Sequence, residues 1–129
     1  MEIDRAEVVA EVAEVFARYE TALVANDLAV LDELFWDDER TVRFGFGETQ
    51  VGHAAVSADR RSRPRQTPPR TLRAVTITTF GSSTATVTAE FVPEESDAVG
   101  RQSQTWMRLD GGWRVVSAHV SWQGGRAPD

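Results

Sequence analysis

The sequence predicts an α+β fold for its 129 residues, with helices in the first part of the chain packed against a curved antiparallel sheet formed by the second part. Two observations predict it. Apolar residues recur every three or four positions up to about residue 35, which is the period of amphipathic helices. From Thr71 onward they recur at every second position among many β-branched residues, as in strands that bury one face.

Three helices and a small hairpin are predicted before this sheet. The first helix runs from Ile3 to Ala25, and Asp27 can cap a short second helix that ends near Phe35. A third helix is predicted at about residues 52–61. Two short β-rich pieces, Thr41 to Phe44 and Glu48 to Val51, flank a glycine-containing turn and predict the hairpin.

Four strands in meander order complete the prediction. Glycine-containing turn sequences at 81–83 and 110–112 join neighbouring runs. Residues 60–73 hold six arginines and three prolines with no acid, so we expect a loop that leads into an edge strand, since proline cannot donate to a ladder. The predicted strands are Thr71 to Phe80, Thr84 to Val92, Val99 to Leu109 and Trp113 to Trp122. A single domain with a core at about residues 5–123 is expected.

Composition excludes several classes of chemistry. The chain has no cysteine, and all fourteen basic residues are arginine, so thiolate metal sites, cysteine nucleophiles and lysine Schiff bases are excluded. Residues 1–48 hold thirteen acids and four arginines, whereas residues 49–129 hold seven acids and ten arginines. The net charge of −6 argues against nucleic-acid binding. Without a signal-peptide pattern or a membrane-spanning apolar run, a cytoplasmic protein that does not bind membranes is expected.

Arg43 is the first candidate functional residue. It lies between Val42 and Phe44 in a short predicted strand, so its guanidinium must point outward or lie in a pocket where an anion balances its charge. The sequence leaves both possibilities open, because the acids at positions 37–39 could pair with it instead.

Tyr19 and His119 are the other candidate catalytic residues. Tyr19 lies on the apolar face of the first helix, where its ring can be buried while its hydroxyl reaches a polar partner, although spacing alone favours a plain core position. His119 could carry protons near neutral pH, but a lone strand histidine is more often structural. By alternation it shares a strand face with Trp113, Val115, Ser117 and Ser121.

Polar side chains on the last two strands are candidates for substrate binding. Gln102 and Gln104 share one face of their strand with Trp106, and Arg101 lies on the opposite face, so either row could present donors to a carboxylate. Ser121 is a further candidate beside His119. We expect Trp36 to form a wall between the second helix and the hairpin.

Known site motifs are absent from the sequence. It contains no HExxH motif, its two histidines lie in distant elements, and no glycine-rich phosphate loop or serine-nucleophile elbow is present. Neither a metal nor any other cofactor is therefore expected.

Several segments together resemble a known family. The last two strands, Gly100 to Trp106 and Gly112 to Ser121, resemble the final hairpin of SnoaL-like members of the NTF2-like superfamily. With Leu34-Phe35-Trp36-Asp37, Thr41-Val42-Arg43-Phe44-Gly45 and Val51-Gly52, the chain resembles more narrowly the AtzH-like family, which includes oxalurate-catabolism proteins. The resemblance spans about residues 5–123, and it departs from the family in the arginine- and proline-rich residues 58–69.

This resemblance implies an NTF2-like cone, with three N-terminal helices and a small hairpin packed on a curved four-stranded antiparallel meander. It matches Tyr19 and Arg43, and it implies a cofactor-independent enzyme that acts on a small carboxylated urea or ureido acid by amide hydrolysis, deamination or decarboxylation. The alternative is a non-catalytic module that binds a ligand or partners a larger amidase. The expected partner is a small anionic or polar molecule.

A homodimer through the sheet is also expected. By simple alternation, one face of the last strand is apolar and would need to be covered if the opposite face lined the cone. That predicted apolar row consists of Val116, Ala118, Val120 and Trp122.

Overall fold

The computed structural model describes residues 1–62 and 67–125, which form three α-helices and six strands followed by a short 3₁₀ turn at Gln123–Gly125. Part of the predicted arginine-rich loop, residues 63–66, lies outside the described residues. The helices are α1 (Ala6–Ala25), α2 (Leu28–Leu34) and α3 (His53–Ser62). The strands are β1 (Val42–Gly45), β2 (Glu48–Val51), β3 (Arg70–Phe80), β4 (Thr84–Pro93), β5 (Gly100–Leu109) and β6 (Gly112–Trp122).

One long-range contact and two local caps determine where α1 begins and ends and where α2 begins. Helix α1 begins three residues later than predicted, because Ile3 forms a β-bridge with Phe80 instead of extending the helix. Asn26 ends α1 in a left-handed conformation, with φ of 56°. The Asp27 carboxylate then accepts a hydrogen bond of 3.2 Å from the backbone N–H of Val30, so the predicted cap of α2 is confirmed.

The six strands form one mixed sheet in the order β2-β1-β6-β5-β4-β3. Strands β3 to β6 make the predicted antiparallel meander, and β3 is an edge strand as expected. The hairpin β1–β2 does not pack on the meander as a separate element. It extends the sheet, because β1 pairs in parallel with β6 and places Arg43 opposite Ala118.

A β-bulge in β6 changes which side chains share a face. Thr105 pairs with Ser117, but the next residue, Trp106, pairs with Val115, so Val116 is an extra residue. The bulge inverts the alternation of β6, and the predicted face that joined Val115 to His119 is wrong. Val115 is fully buried and shares the concave side with Ala118, whereas Ser117 and His119 are exposed on the convex side.

The core lies between the helices and the concave face of the sheet. The buried positions of α1 recur every three or four residues, and α2 and β4 contribute further apolar side chains. Trp106 is fully buried at the centre of this cluster. None of the helices within residues 1–62 and 67–125 has the length and apolarity needed to cross a membrane.

Candidate functional site

A cavity of about 390 Å³ lies on the concave side of the sheet, next to the apolar core. Its volume falls within the usual range for small-molecule sites. Helix α1, strand β1 and strands β3 to β6 all contribute to its wall. The polar side chains around it include Tyr19, Arg43, Arg70, Gln102 and Gln104.

Tyr19 presents its hydroxyl to this cavity. The side chain is 6% exposed, and its ring packs edge-on against Trp106 and beside Phe16 and Phe35, with centroid distances of 6.3 to 6.4 Å. Its hydroxyl makes no hydrogen bond to the described residues. The ring is therefore fixed by packing, while its polar end stays available to a ligand.

Arg43 enters the cavity from β1 with part of its hydrogen-bonding capacity unused. Its Nη1 donates to Gln50 Oε1 at 2.9 Å and to Glu48 Oε1 at 3.2 Å, so the charge is balanced by Glu48 and not by the acids at 37–39. Within the described part of the chain, Nε and Nη2 donate to no residue. These two atoms form one edge of the guanidinium, the geometry that binds a carboxylate through two parallel hydrogen bonds.

Gly45 makes room for this ion pair. A Cβ atom at this position would lie 2.5 Å from Glu48 Oε1 and 2.6 Å from Arg43 Nη1. The absence of a side chain at Gly45 therefore allows Glu48 to reach Arg43 across the hairpin.

Arg70 lies in the same cavity, but its guanidinium edge is occupied. Its Nε and Nη2 both donate to the Glu20 carboxylate, at 3.3 and 2.7 Å, and Nη2 also donates to Gln102 Oε1 at 3.0 Å. Gln102 Nε2 in turn donates to Glu20 Oε1 at 2.7 Å. Arg70 and Glu20 have only 6% and 13% of their side chains exposed, so the three residues form a closed network that fixes α1 to the sheet.

Gln104 presents its amide nitrogen to the cavity. Its Oε1 accepts a 2.9 Å hydrogen bond from Trp106 Nε1, and an indole N–H can only donate. The carboxamide oxygen must therefore face Trp106, and the NH₂ group makes no hydrogen bond to any of residues 1–62 or 67–125. With 3% exposure, Gln104 is a nearly buried donor held in one orientation.

The remaining wall is aromatic. Phe91 and Trp122 meet edge-to-face at 5.4 Å, and Phe46 from the hairpin turn stacks on Trp122 at 4.7 Å. The Arg70 guanidinium lies 4.1 Å from the centre of the Phe91 ring. The cavity wall therefore combines flat aromatic side chains with polar ones.

Some predicted site residues have side chains outside the cavity. Although His119 contributes to the cavity wall, it is exposed, and its ring contacts the convex-side Phe44 at 5.9 Å. Arg101 and Ser121 pair across β5 and β6 on the same convex face, where Arg101 approaches Glu90 at 3.9 Å. The β6 bulge explains why alternation placed His119 and Ser121 with the buried residues.

Trp36 was predicted as a wall of the site, but it lies away from the cavity. Its backbone N–H donates to Val115 O at 3.0 Å, and the Arg40 guanidinium carbon lies over its ring, 4.9 Å from the ring centre. Hydrogen bonds from the Arg40 side chain, and then from the Arg40 backbone N–H, lower the pKa of Asp38 to about 2. Residues 36–40 form the turn before β1 and do not line the cavity.

Sequence reasoning missed Glu20, Arg70, Glu48 and Gln50. The first two are separated by 50 residues, so no local spacing relates them. Gln50 could have been found from hairpin register, because it lies directly opposite Arg43. No group of three or more histidine, aspartate or glutamate side chains in the described residues could hold a metal ion.

Comparison with known proteins places the chain in a family. The sequence profile of the AtzH-like family matches residues 1–125. The chain belongs to the AtzH-like family. A solved protein of unknown function from Pectobacterium atrosepticum is 48% identical, with a TM-score of 0.90 over 93% of this chain and 94% of that one. A cystatin-like fold protein from Burkholderia xenovorans is 42% identical, with a TM-score of 0.90 over 95% and 96% of the two chains.

More distant structures show the wider fold. An NTF2-like superfamily protein from Salmonella enterica is 21% identical, with a TM-score of 0.73 over 91% of this chain and 92% of that chain. The predicted NTF2-like α+β fold is therefore confirmed, with six strands in one sheet. No curated protein sequence matches this AtzH-like chain.

Proposed function

We propose that the cavity binds a small carboxylate that also carries an amide or ureido group, and that the protein cleaves a C–N bond of this ligand without a cofactor. One observation carries the proposal. Arg43 keeps the Nε and Nη2 edge of its guanidinium unused in the cavity, whereas Glu20 occupies the same edge of Arg70. Arg43 is therefore the arginine that can hold a ligand carboxylate through two hydrogen bonds.

Tyr19 supplies the second element of the proposed reaction. A phenol hydroxyl both donates and accepts hydrogen bonds, and this one is held in place by three aromatic neighbours. In the proposed hydrolysis, water adds to the carbonyl carbon while the Tyr19 hydroxyl protonates the leaving nitrogen. The phenolate then takes a proton from the added water. Attack on an amide carbonyl gives a carboxylic acid and an amine, ammonia or a urea as the leaving group. Attack on a ureido carbonyl gives ammonia or an amine and a carbamic acid, which breaks down to carbon dioxide and a second amine or ammonia.

The choice of a ureido acid rests on the family. AtzH-like resemblance implies carboxylated ureas and oxalurate-type compounds, and their planar groups suit a cavity that is lined by both flat aromatic and polar side chains. The cavity lining offers no thiol or amine nucleophile, because the chain contains neither cysteine nor lysine. Acid–base catalysis and electrostatic stabilisation fit the groups that are present.

The test measures release of ammonia and carbon dioxide from carboxylated urea, and release of ammonia, carbon dioxide, urea and oxalate from oxalurate, by the wild-type protein and by Tyr19→Phe. This variant keeps the ring and removes only the hydroxyl, so turnover should fall at least 100-fold, the order expected for loss of a general acid, while the melting temperature stays nearly unchanged. Ser117→Ala is the matched control. It removes one hydroxyl from the exposed convex side of the sheet and should leave turnover unchanged.

Two results would contradict the proposal. Full turnover by Tyr19→Phe would show that the Tyr19 hydroxyl does not transfer the proton. If the wild type binds these compounds by calorimetry but turns over none of them, the protein is a binding module, such as the partner of a larger amidase.

A further inference from the structure

A row of three side chains crosses the floor of the cavity. In the sheet register Arg43 lies opposite Ala118, and Ala118 lies opposite Gln104 on its other side. Arg43 and Gln104 thus lie on strands two positions apart, with backbones about 9.6 Å from each other at ordinary strand spacing. The central residue contributes only a methyl group, so an open slot separates the two polar side chains.

Both ends of this slot carry unused hydrogen-bond donors. At one end, Arg43 Nε and Nη2 donate to none of the described residues. At the other, Gln104 is 3% exposed, and its NH₂ group also lacks a partner among residues 1–62 and 67–125. Because the Trp106 indole N–H holds the Gln104 oxygen at 2.9 Å, the carboxamide cannot rotate to present an acceptor without leaving that buried N–H unsatisfied.

We propose that Gln104 binds a second acceptor oxygen of the ligand, and that Ala118 sets the width of the space between this oxygen and the carboxylate on Arg43. This inference rests on the proposed function for the role of Arg43 and specifies the ligand further. The ligand class is an anion with two separated acceptor groups, a carboxylate at one end and a carbonyl or second carboxylate at the other. A simple monocarboxylate fills only one end of the slot.

Ala118→Val tests the width of the slot. The two added methyl groups lie between the flanking side chains, and valine is well tolerated in strands. Ser117→Val is the matched control, because it places a β-branched side chain on the exposed convex side of the same strand.

Gln104→Glu tests the donor. The glutamate keeps an oxygen to accept from Trp106 and nearly the same volume, but it replaces the NH₂ donors with a second carboxylate oxygen. Thermal melts on the same preparations separate loss of binding from loss of folding.

The assay is calorimetric titration with acetate, malonate and oxalurate. We expect the wild type to bind malonate and oxalurate at least tenfold more tightly than acetate. Ala118→Val should reduce this advantage at least fivefold and change acetate affinity less than threefold, while Ser117→Val changes none of the three. Gln104→Glu adds a negative charge that weakens the binding of every anion, so its test is the comparison of the two monoanions: the affinity for oxalurate should fall at least fivefold more than the affinity for acetate.

The outcomes separate this inference from the proposed function. The expected pattern supports the slot even when the wild type turns over no ureido acid, a result that would count against the proposed enzyme alone. Ureido-acid turnover that depends on Tyr19 but persists unchanged in Gln104→Glu and Ala118→Val would refute the proposed roles of Gln104 and Ala118. It would still support the proposed enzymatic function. Equal affinity of the wild type for all three probes would also overturn it.

Discussion

Replacing Arg43 by lysine separates the shape of this side chain from its charge. An arginine has five N–H donors, and Arg43 gives two of them, both on Nη1, to Glu48 and Gln50. Three donors remain, including the parallel Nε and Nη2 pair. A lysine has three donors in total, so after the same two protein contacts only one is left for a ligand.

The expected cost follows from this difference. Arg43→Lys should replace a two-point carboxylate contact by a single one in a cavity where the side chain is only 12% exposed. Loss of a positioned charge-assisted hydrogen bond in such a site costs about 2 to 4 kcal/mol, which corresponds to roughly 30- to 1000-fold in kcat/KM. Stability should change much less, because the charge and the pairing with Glu48 are kept.

Steady-state kinetics on carboxylated urea and oxalurate measures this loss, and calorimetry on the same ligands measures binding. Arg101→Lys is the control, because Arg101 lies on the convex face of the same sheet near Glu90. Arg43→Lys activity within threefold of the wild type would refute the two-point contact. An equal loss in Arg101→Lys would show that the effect does not depend on the cavity.

Three further predictions concern stability, ionisation and assembly. Gly100→Ala should lower the free energy of unfolding by about 1 to 3 kcal/mol in urea denaturation, because its Cβ would lie 2.0 Å from the Phe91 ring, and an unchanged midpoint would contradict this. The pKa of the Asp38 carboxyl, measured by NMR titration, should be about 2, below its ordinary value of 3.8. Its contribution to stability is therefore present above pH 3.8 and is lost as the pH falls through about 2. Arg40→Ala should raise this pKa. The apolar row that predicts a homodimer does not face outward: Ala118, Val120 and Trp122 line the cavity, because the bulge at Val116 inverts the alternation of β6. A homodimer through the sheet stays a prediction that light scattering tests, and a monomer mass of 14.3 kDa would exclude it.

The sequence predicted the secondary structure well because its periods are clear. The apolar residues of α1 recur every three or four positions, and the buried residues of β4 and β5 alternate with less buried ones. The sequence pattern alone therefore located these elements. Tyr19 and Arg43 were found on the cavity wall by the same logic combined with family resemblance. Because β5 alternates regularly, the sequence grouped Gln102 with Gln104, but it left open whether this row or the row of Arg101 faced the cavity.

What sequence reasoning missed depends on contacts between distant residues. The bulge at Val116 has no glycine or proline to mark it, and a single extra residue transferred His119 and Ser121 to the convex face. The pairing of Arg70 with Glu20 joins β3 to α1, and nothing in either segment specifies its partner. The parallel pairing of β1 with β6 was missed for the same reason, although it holds Arg43 beside Ala118.

That parallel pairing also determines when the cavity can exist during synthesis. Strand β1 and its hairpin partner β2 are made early, but β1 joins the rest of the sheet only after β6, some 75 residues later, has left the ribosome. Contacts this distant in sequence close late and slow folding, because a long loop must be ordered before they form. A ligand that spans Arg43 and Gln104 can therefore bind only the finished fold, and its binding free energy stabilises the whole chain by mass action.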